Sequence, residues 1–144
     1  MKTTTQILPG VRAIGWLDCR QLQRRVDLHG ICRTKVPVLT AVERINFFDE
    51  PTCSCKTLRE SGLVTATASL KFHSDALLPI HRDLGFVVTD QSGNTYLIGC
   101  KEPPFPKVEV EMSAGAPDGD GAGFFYTVSH TALATLIECS ASFD

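Results

Sequence analysis

The chain has 144 residues, 43% of them hydrophobic, enough for a single domain over residues 1–144 with one core of its own. Its 14 Lys and Arg against 16 Asp and Glu leave a net charge of −2, which gives no electrostatic footprint for nucleic acid or an acidic membrane surface. No apolar run reaches the roughly 18 residues of a membrane-spanning helix, and polar Thr3-Thr4-Thr5-Gln6 stands where a secretory signal needs an apolar segment, so synthesis and folding in the cytoplasm are expected.

Val11 to Leu17 is short and apolar and predicts a strand ending near Trp16, the one tryptophan. Asp18 to His29 fits a helix, with Leu22, Val26 and His29 on one side, or a ragged strand interrupted by Arg24. Arg20, Arg24 and Arg25 form either a solvated face or a patch for phosphate or an acidic partner. Val38 to Phe48 predicts a half-buried strand with Leu39, Ala41, Ile45 and Phe47 inward, and Asp49-Glu50-Pro51 predicts its end. Thr52 to Leu58 is expected to pair with the following strand across Arg59-Glu60-Ser61-Gly62.

That following strand has the clearest pattern. Val64, Ala66, Ala68, Leu70 and Phe72 face one way, and Thr65, Thr67, Ser69, Lys71 and His73 the other. A period of two over nine residues belongs to a strand. Ser74 to Asp83, with Pro79 inside it, predicts one helical turn or an irregular connector. Leu84 to Asp90 and Thr95 to Cys100 predict a hairpin turning at Gln91-Ser92-Gly93-Asn94. The proline-rich piece Glu102 to Pro106 predicts a stiff corner outside any sheet. Lys107 to Ser113 alternates, Ala114 to Gly123 predicts a mobile glycine-rich loop, and Phe124 to His130 and Ala132 to Cys139 predict the last strands. The sum is an all-β chain: a sandwich or barrel of about eight short antiparallel strands, with at most one or two short helices.

The residues that carry chemistry form no catalytic constellation, and a non-enzymatic protein without a cofactor is expected. Cys53 and Cys55 share a strand face, yet a zinc site needs about four ligands and no second pair with ligand spacing accompanies them. With no secretory signal, the six cysteines predict buried thiols rather than a disulfide framework. His81 with Asp83, and His73 with Asp75, are base-and-orienter spacings that lack a nucleophile motif. Asp118 and Asp120 begin like a calcium loop, but Ala122 and Ser129 stand at the fifth and twelfth positions, where oxygen ligands are required.

Interaction is the stronger expectation. Phe105, held before Pro106, either docks on a partner or closes the end of the core. Phe125 must face opposite to Phe124 and Tyr126, so that strand is buried on both sides or lies at an interface. The candidate interaction residues are therefore Phe105, Pro106, Asp118, Asp120, Phe124, Phe125, Arg24 and Arg25.

The C-terminal pieces GFVVTDQSGNTYLIGCKEPPFPKVEVE, SAGAPDGDGAG and FFYTVSHTALATLIEC, spanning roughly Leu84 to Cys139, resemble small prophage-encoded proteins from the tail-assembly region of phages of gut anaerobes. The resemblance implies a virion structural or assembly protein of mostly β fold. It would be made in the bacterial host and would associate with itself, as a homo-oligomer in the assembled state, or with other virion proteins. The alternatives are a β-barrel protein-binding module using Phe105 or the arginines, and a small enzyme using a His-Asp pair.

Overall fold

The computed structural model describes residues 2–7, 10–22, 24, 35–38, 41–101, 105–113, 123–132, 135–141 and 143. Among them run eleven strands: β1 (Lys2–Ile7), β2 (Val11–Asp18), β3 (Val36–Pro37), β4 (Glu43–Ile45), β5 (Phe48–Glu60), β6 (Leu63–Ser74), β7 (Leu84–Asp90), β8 (Thr95–Ile98), β9 (Lys107–Ser113), β10 (Gly123–Ala132) and β11 (Ile137–Ser140). One 3-10 turn, Cys19–Gln21, follows β2, with Asp18 capping it by accepting from the Arg20 N–H. A five-stranded sheet has the order β1-β5-β6-β10-β9 and a six-stranded sheet the order β3-β11-β8-β7-β2-β4. The two pack as a sandwich, not a closed barrel, and every pairing is antiparallel except β3 with β11.

Period-two alternation builds the layer between the sheets. The five-stranded sheet contributes Cys53, Cys55, Ala66, Ala68, Leu70, Phe72, Tyr126 and Val128, and the six-stranded sheet answers with Val11, Ile14, Ile45, Leu84, Phe86, Val88 and Ile98. Ile14, Leu70, Phe86, Ile98 and Val128 are wholly buried, and each such side chain stabilises the fold by about 1.5–3 kcal/mol relative to exposure. Tyr126 stacks on Phe72 with ring centroids 5.0 Å apart. Its hydroxyl donates to the Ala76 carbonyl at 2.6 Å and accepts from the Leu78 N–H at 3.0 Å. One core tyrosine thus ties down the irregular connector between β6 and β7.

The six-stranded sheet is covered on its other face too. Leu17, Val87, Leu97, Ile137 and Cys139 meet Cys19, Leu22, Val36 and Val42 in a second apolar cluster. Every residue of β7 is buried, as a strand sandwiched on both sides requires. Gly15 permits this cover to approach: a Cβ there would stand 2.3 Å from Val42 Cγ1 and 2.8 Å from Phe143 Cε1.

Several details differ from the sequence expectations: β1 and β3 are not among the expected strands, and the last strand begins at Ile137 while Ala132 ends β10. The β5–β6 link is a two-residue turn, Ser61 and Gly62 at φ 52° and 80°, because pairing continues through Arg59↔Val64 and Glu60↔Leu63. Asp49-Glu50-Pro51 does not end a strand; β5 runs through it, and the pairing register shifts between Phe48 and Thr52 to accommodate the proline. The expected strand over Val38 to Phe48 is divided between sheets. Glu43–Ile45 pairs in the six-stranded sheet while Phe48 opens β5 in the other, so Ala41 is exposed and Ile45 buried. The glycine-rich loop expected at Ala114 to Gly123 lies outside the described residues up to its last position, where β10 begins.

Candidate interaction face

The outer face of the five-stranded sheet has no cover among the described residues. On β6 the outward residues are Thr65, Thr67, Ser69, Lys71 and His73, and on β10 they are Phe125, Thr127, Ser129 and Thr131. Cross-strand register sets the rows. Thr131 lies opposite Thr67, with their hydroxyl oxygens 3.0 Å apart. Lys71 lies between Thr52 of β5 and Thr127 of β10. Phe125 lies between His73 of β6 and Glu111 of β9.

That last row is the apolar end of an otherwise hydroxyl-rich face. Phe125 stacks on the His73 imidazole at 4.1 Å between centroids and 16° between planes, and Phe48 meets the same ring edge-on at 5.2 Å. Cross-strand aromatic pairs of this kind contribute about 0.2–1 kcal/mol each. The two rings cover His73, which is 7% exposed although it points outward, while Phe125 and Phe48 remain 37% and 42% exposed. Gly123 completes the seat, since a Cβ there would come within 2.6 Å of His73 Nε2. Beside this cluster lies a groove of about 400 Å³ lined by Phe48, Thr52, Lys71, His73, Glu111 and Phe125. Met112 of β9 is 77% exposed nearby in sequence.

The residues expected from sequence to interact distribute unevenly. Phe125 sits at the apolar end of this face. Phe124 faces the other way and packs half-buried against the inter-sheet core. Phe105 is half-buried against the second cluster and Pro106 is buried, so these two residues pack onto the core, while residues 102–104 lie outside the described residues. Arg24 is exposed. Arg25, Asp118 and Asp120 lie outside the described residues. Sequence reasoning missed Phe48, Lys71 and Glu111. The outward parity of Lys71 was visible, but its neighbours depend on β10 lying between β6 and β9.

Cys53 and Cys55 both face the core, and burial pushes the Cys53 thiol up to about 12 and raises that of Cys55. No group of three or more His, Cys, Asp or Glu that could hold a metal ion occurs among the described residues. His81 is exposed in a turn where the ion pair joins Arg82 Nε to Asp18 Oδ2 at 3.7 Å. No helix among the described residues is long and apolar enough to cross a membrane. No protein family, curated protein or solved structure matches this chain.

Proposed function

We propose that this protein is a non-enzymatic structural or assembly protein of a prophage, from the tail region of the virion, that works by associating through the outer face of its five-stranded sheet. The observation that carries the reading is the exposed Phe48–Phe125 pair over His73, bordered by Lys71 and Glu111. Apolar anchors with a polar rim are the usual composition of a protein–protein contact. The face offers both a cation and an anion, so two copies related by a two-fold axis have opposite charges to match. The tail-region assignment draws its support from the resemblance of Leu84 to Cys139. The two together support self-association, with other virion proteins as further partners.

The test is absolute molar mass by light scattering across a wide concentration range, with negative-stain images of the largest species. Mass rising above that of one chain, with rings or tubes in the images, is the expected result. A monodisperse single chain at every concentration, unchanged by added tail proteins, overturns the reading.

A further inference from the structure

We propose that Cys100 is a base-activated nucleophilic thiol that reacts with small disulfides, with His130 as its proton acceptor and Thr135 orienting the imidazole. Cys100 lies just past β8, His130 near the end of β10 and Thr135 in the link to β11. His130 points inward with Tyr126 and Val128 and is only 2% exposed. Its Nδ1 is 2.7 Å from Thr135 Oγ1, and its Nε2 is 3.8 Å from Cys100 Sγ. When Nδ1 carries the proton and donates it to the Thr135 oxygen, Nε2 presents its lone pair to the thiol. A nucleophile, a base and a group that fixes the base are the parts of an activated-thiol site, and the nucleophile–base distance is commonly long at rest.

Cys100 differs from the other described thiols. Cys19, Cys53, Cys55 and Cys139 are buried, and burial pushes Cys19, Cys53 and Cys139 up to about 12. Such thiols are inert. Cys100 is only half-buried. Among the described titratable groups, His130 and Cys19 meet it, the Cys19 thiol through the Cys100 backbone.

The step balances without an outside oxidant beyond the disulfide itself. The Cys100 proton passes to His130 Nε2. The thiolate attacks one sulfur of the disulfide, a new S–S bond forms and the reagent's S–S bond breaks. The departing thiolate takes the bonding electron pair and then the proton from the imidazolium. One protein thiol and one disulfide become one mixed disulfide and one small thiol. This chemistry stands independently of the association proposed above.

The experiment treats the folded protein with 5,5′-dithiobis(2-nitrobenzoate) from pH 5 to 9, with peptide mapping to assign the thiol. A synthetic peptide covering residues 98–103 is the reference. At pH 7 Cys100 is expected to react about fivefold or more faster than the same cysteine in the peptide, because the imidazole takes up the thiol proton and presents the sulfur to the disulfide as a thiolate. Cys100→Ser should remove the fast phase. His130→Gln should return the pH profile to that of an ordinary thiol. Thr135→Val, which keeps the buried shape, should shift the profile while leaving the circular dichroism spectrum unchanged. Three results overturn the proposal: a Cys100 rate no greater than the peptide's, a fast phase that survives Cys100→Ser, or a profile unmoved in folded Thr135→Val.

Discussion

The two sheets of this sandwich are built from similar strands but treat their outer faces in opposite ways. The six-stranded sheet buries both sides of β7, one against Leu70 and Phe72 and their neighbours, the other beneath Val36, Val42 and the Cys19 turn. Among the described residues, the five-stranded sheet buries one side only and leaves hydroxyls, charges and two phenylalanines on the other. A sheet sealed twice is suited to holding the fold together. A sheet sealed once can spend its outer residues on another molecule at small cost to stability. Substitutions on the two sheets should therefore separate stability from association.

The largest effect should come from the doubly covered sheet. Phe86 is wholly buried at the centre of β7. Phe86→Ala should destabilise the fold by about 3–5 kcal/mol, since lost transfer energy and the cavity left behind add together. Urea unfolding followed by circular dichroism measures it. A loss below about 1 kcal/mol would mean that the inter-sheet layer collapses easily, and the contrast between sheets would fail.

A smaller effect should follow from crowding the second face. Gly15→Ala places a methyl against Val42 Cγ1 and Phe143, which form the parallel bridge over it. Overpacking of this kind costs about 1–3 kcal/mol. Val42→Ala in the same chain makes room, so the double variant should recover part of the loss in the same urea titration. Strict additivity of the two losses would show that the cover does not rest on Gly15 as described.

Alkaline pH probes the buried thiols in both layers. The Cys19, Cys53 and Cys139 thiols are pushed up to about 12, above all because burial disfavours the thiolate. A raised folded pKa means that the unfolded chain releases these protons first. The stability they contribute is present below about pH 9 and is lost as pH rises from there toward 12, at no more than about 1.4 kcal/mol per group per pH unit. Cys53→Ala should therefore show a shallower fall in stability between pH 9 and 10.5 than the parent. Equal slopes would place the Cys53 thiol in contact with water.

Much of the sandwich is legible from the sequence because its main signal is local. Val64 to Phe72 alternates so strictly that β6 and its inward face follow from period alone, and Asp90 holds the next hairpin through bonds to the Ser92 and Asn94 N–H groups, all within five residues. What is not legible depends on strand order. Phe105 can be assigned to the core only when Cys19, Val42 and Phe143, distant in sequence, are seen to share its cluster. Phe48 seemed to end one strand because Asp49-Glu50-Pro51 followed it, whereas pairing with His73 makes it the start of another. For the candidate face, parity located Phe125, but its neighbours Lys71 and Glu111 come from strands on either side of β10.

The smallest effect on stability should accompany the largest effect on association. Phe125 is stacked on one ring and more than a third exposed, so Phe125→Ser removes a cross-strand pair and little buried area. A loss of about 0.2–1 kcal/mol is expected in urea unfolding. The same change removes an aromatic anchor from the open face, and truncation of an interface anchor typically weakens association by about 2 kcal/mol or more, roughly thirtyfold. Light scattering at matched concentrations should then show the variant shifted toward single chains while it remains folded. Phe124→Ser makes the reciprocal control, because Phe124 packs against the inter-sheet core. It should cost more stability and, while folded, leave the outer face intact. If the two variants change mass and stability in the same proportion, the outer face is not where the chain associates, and the edges of the sheets become the surface to test.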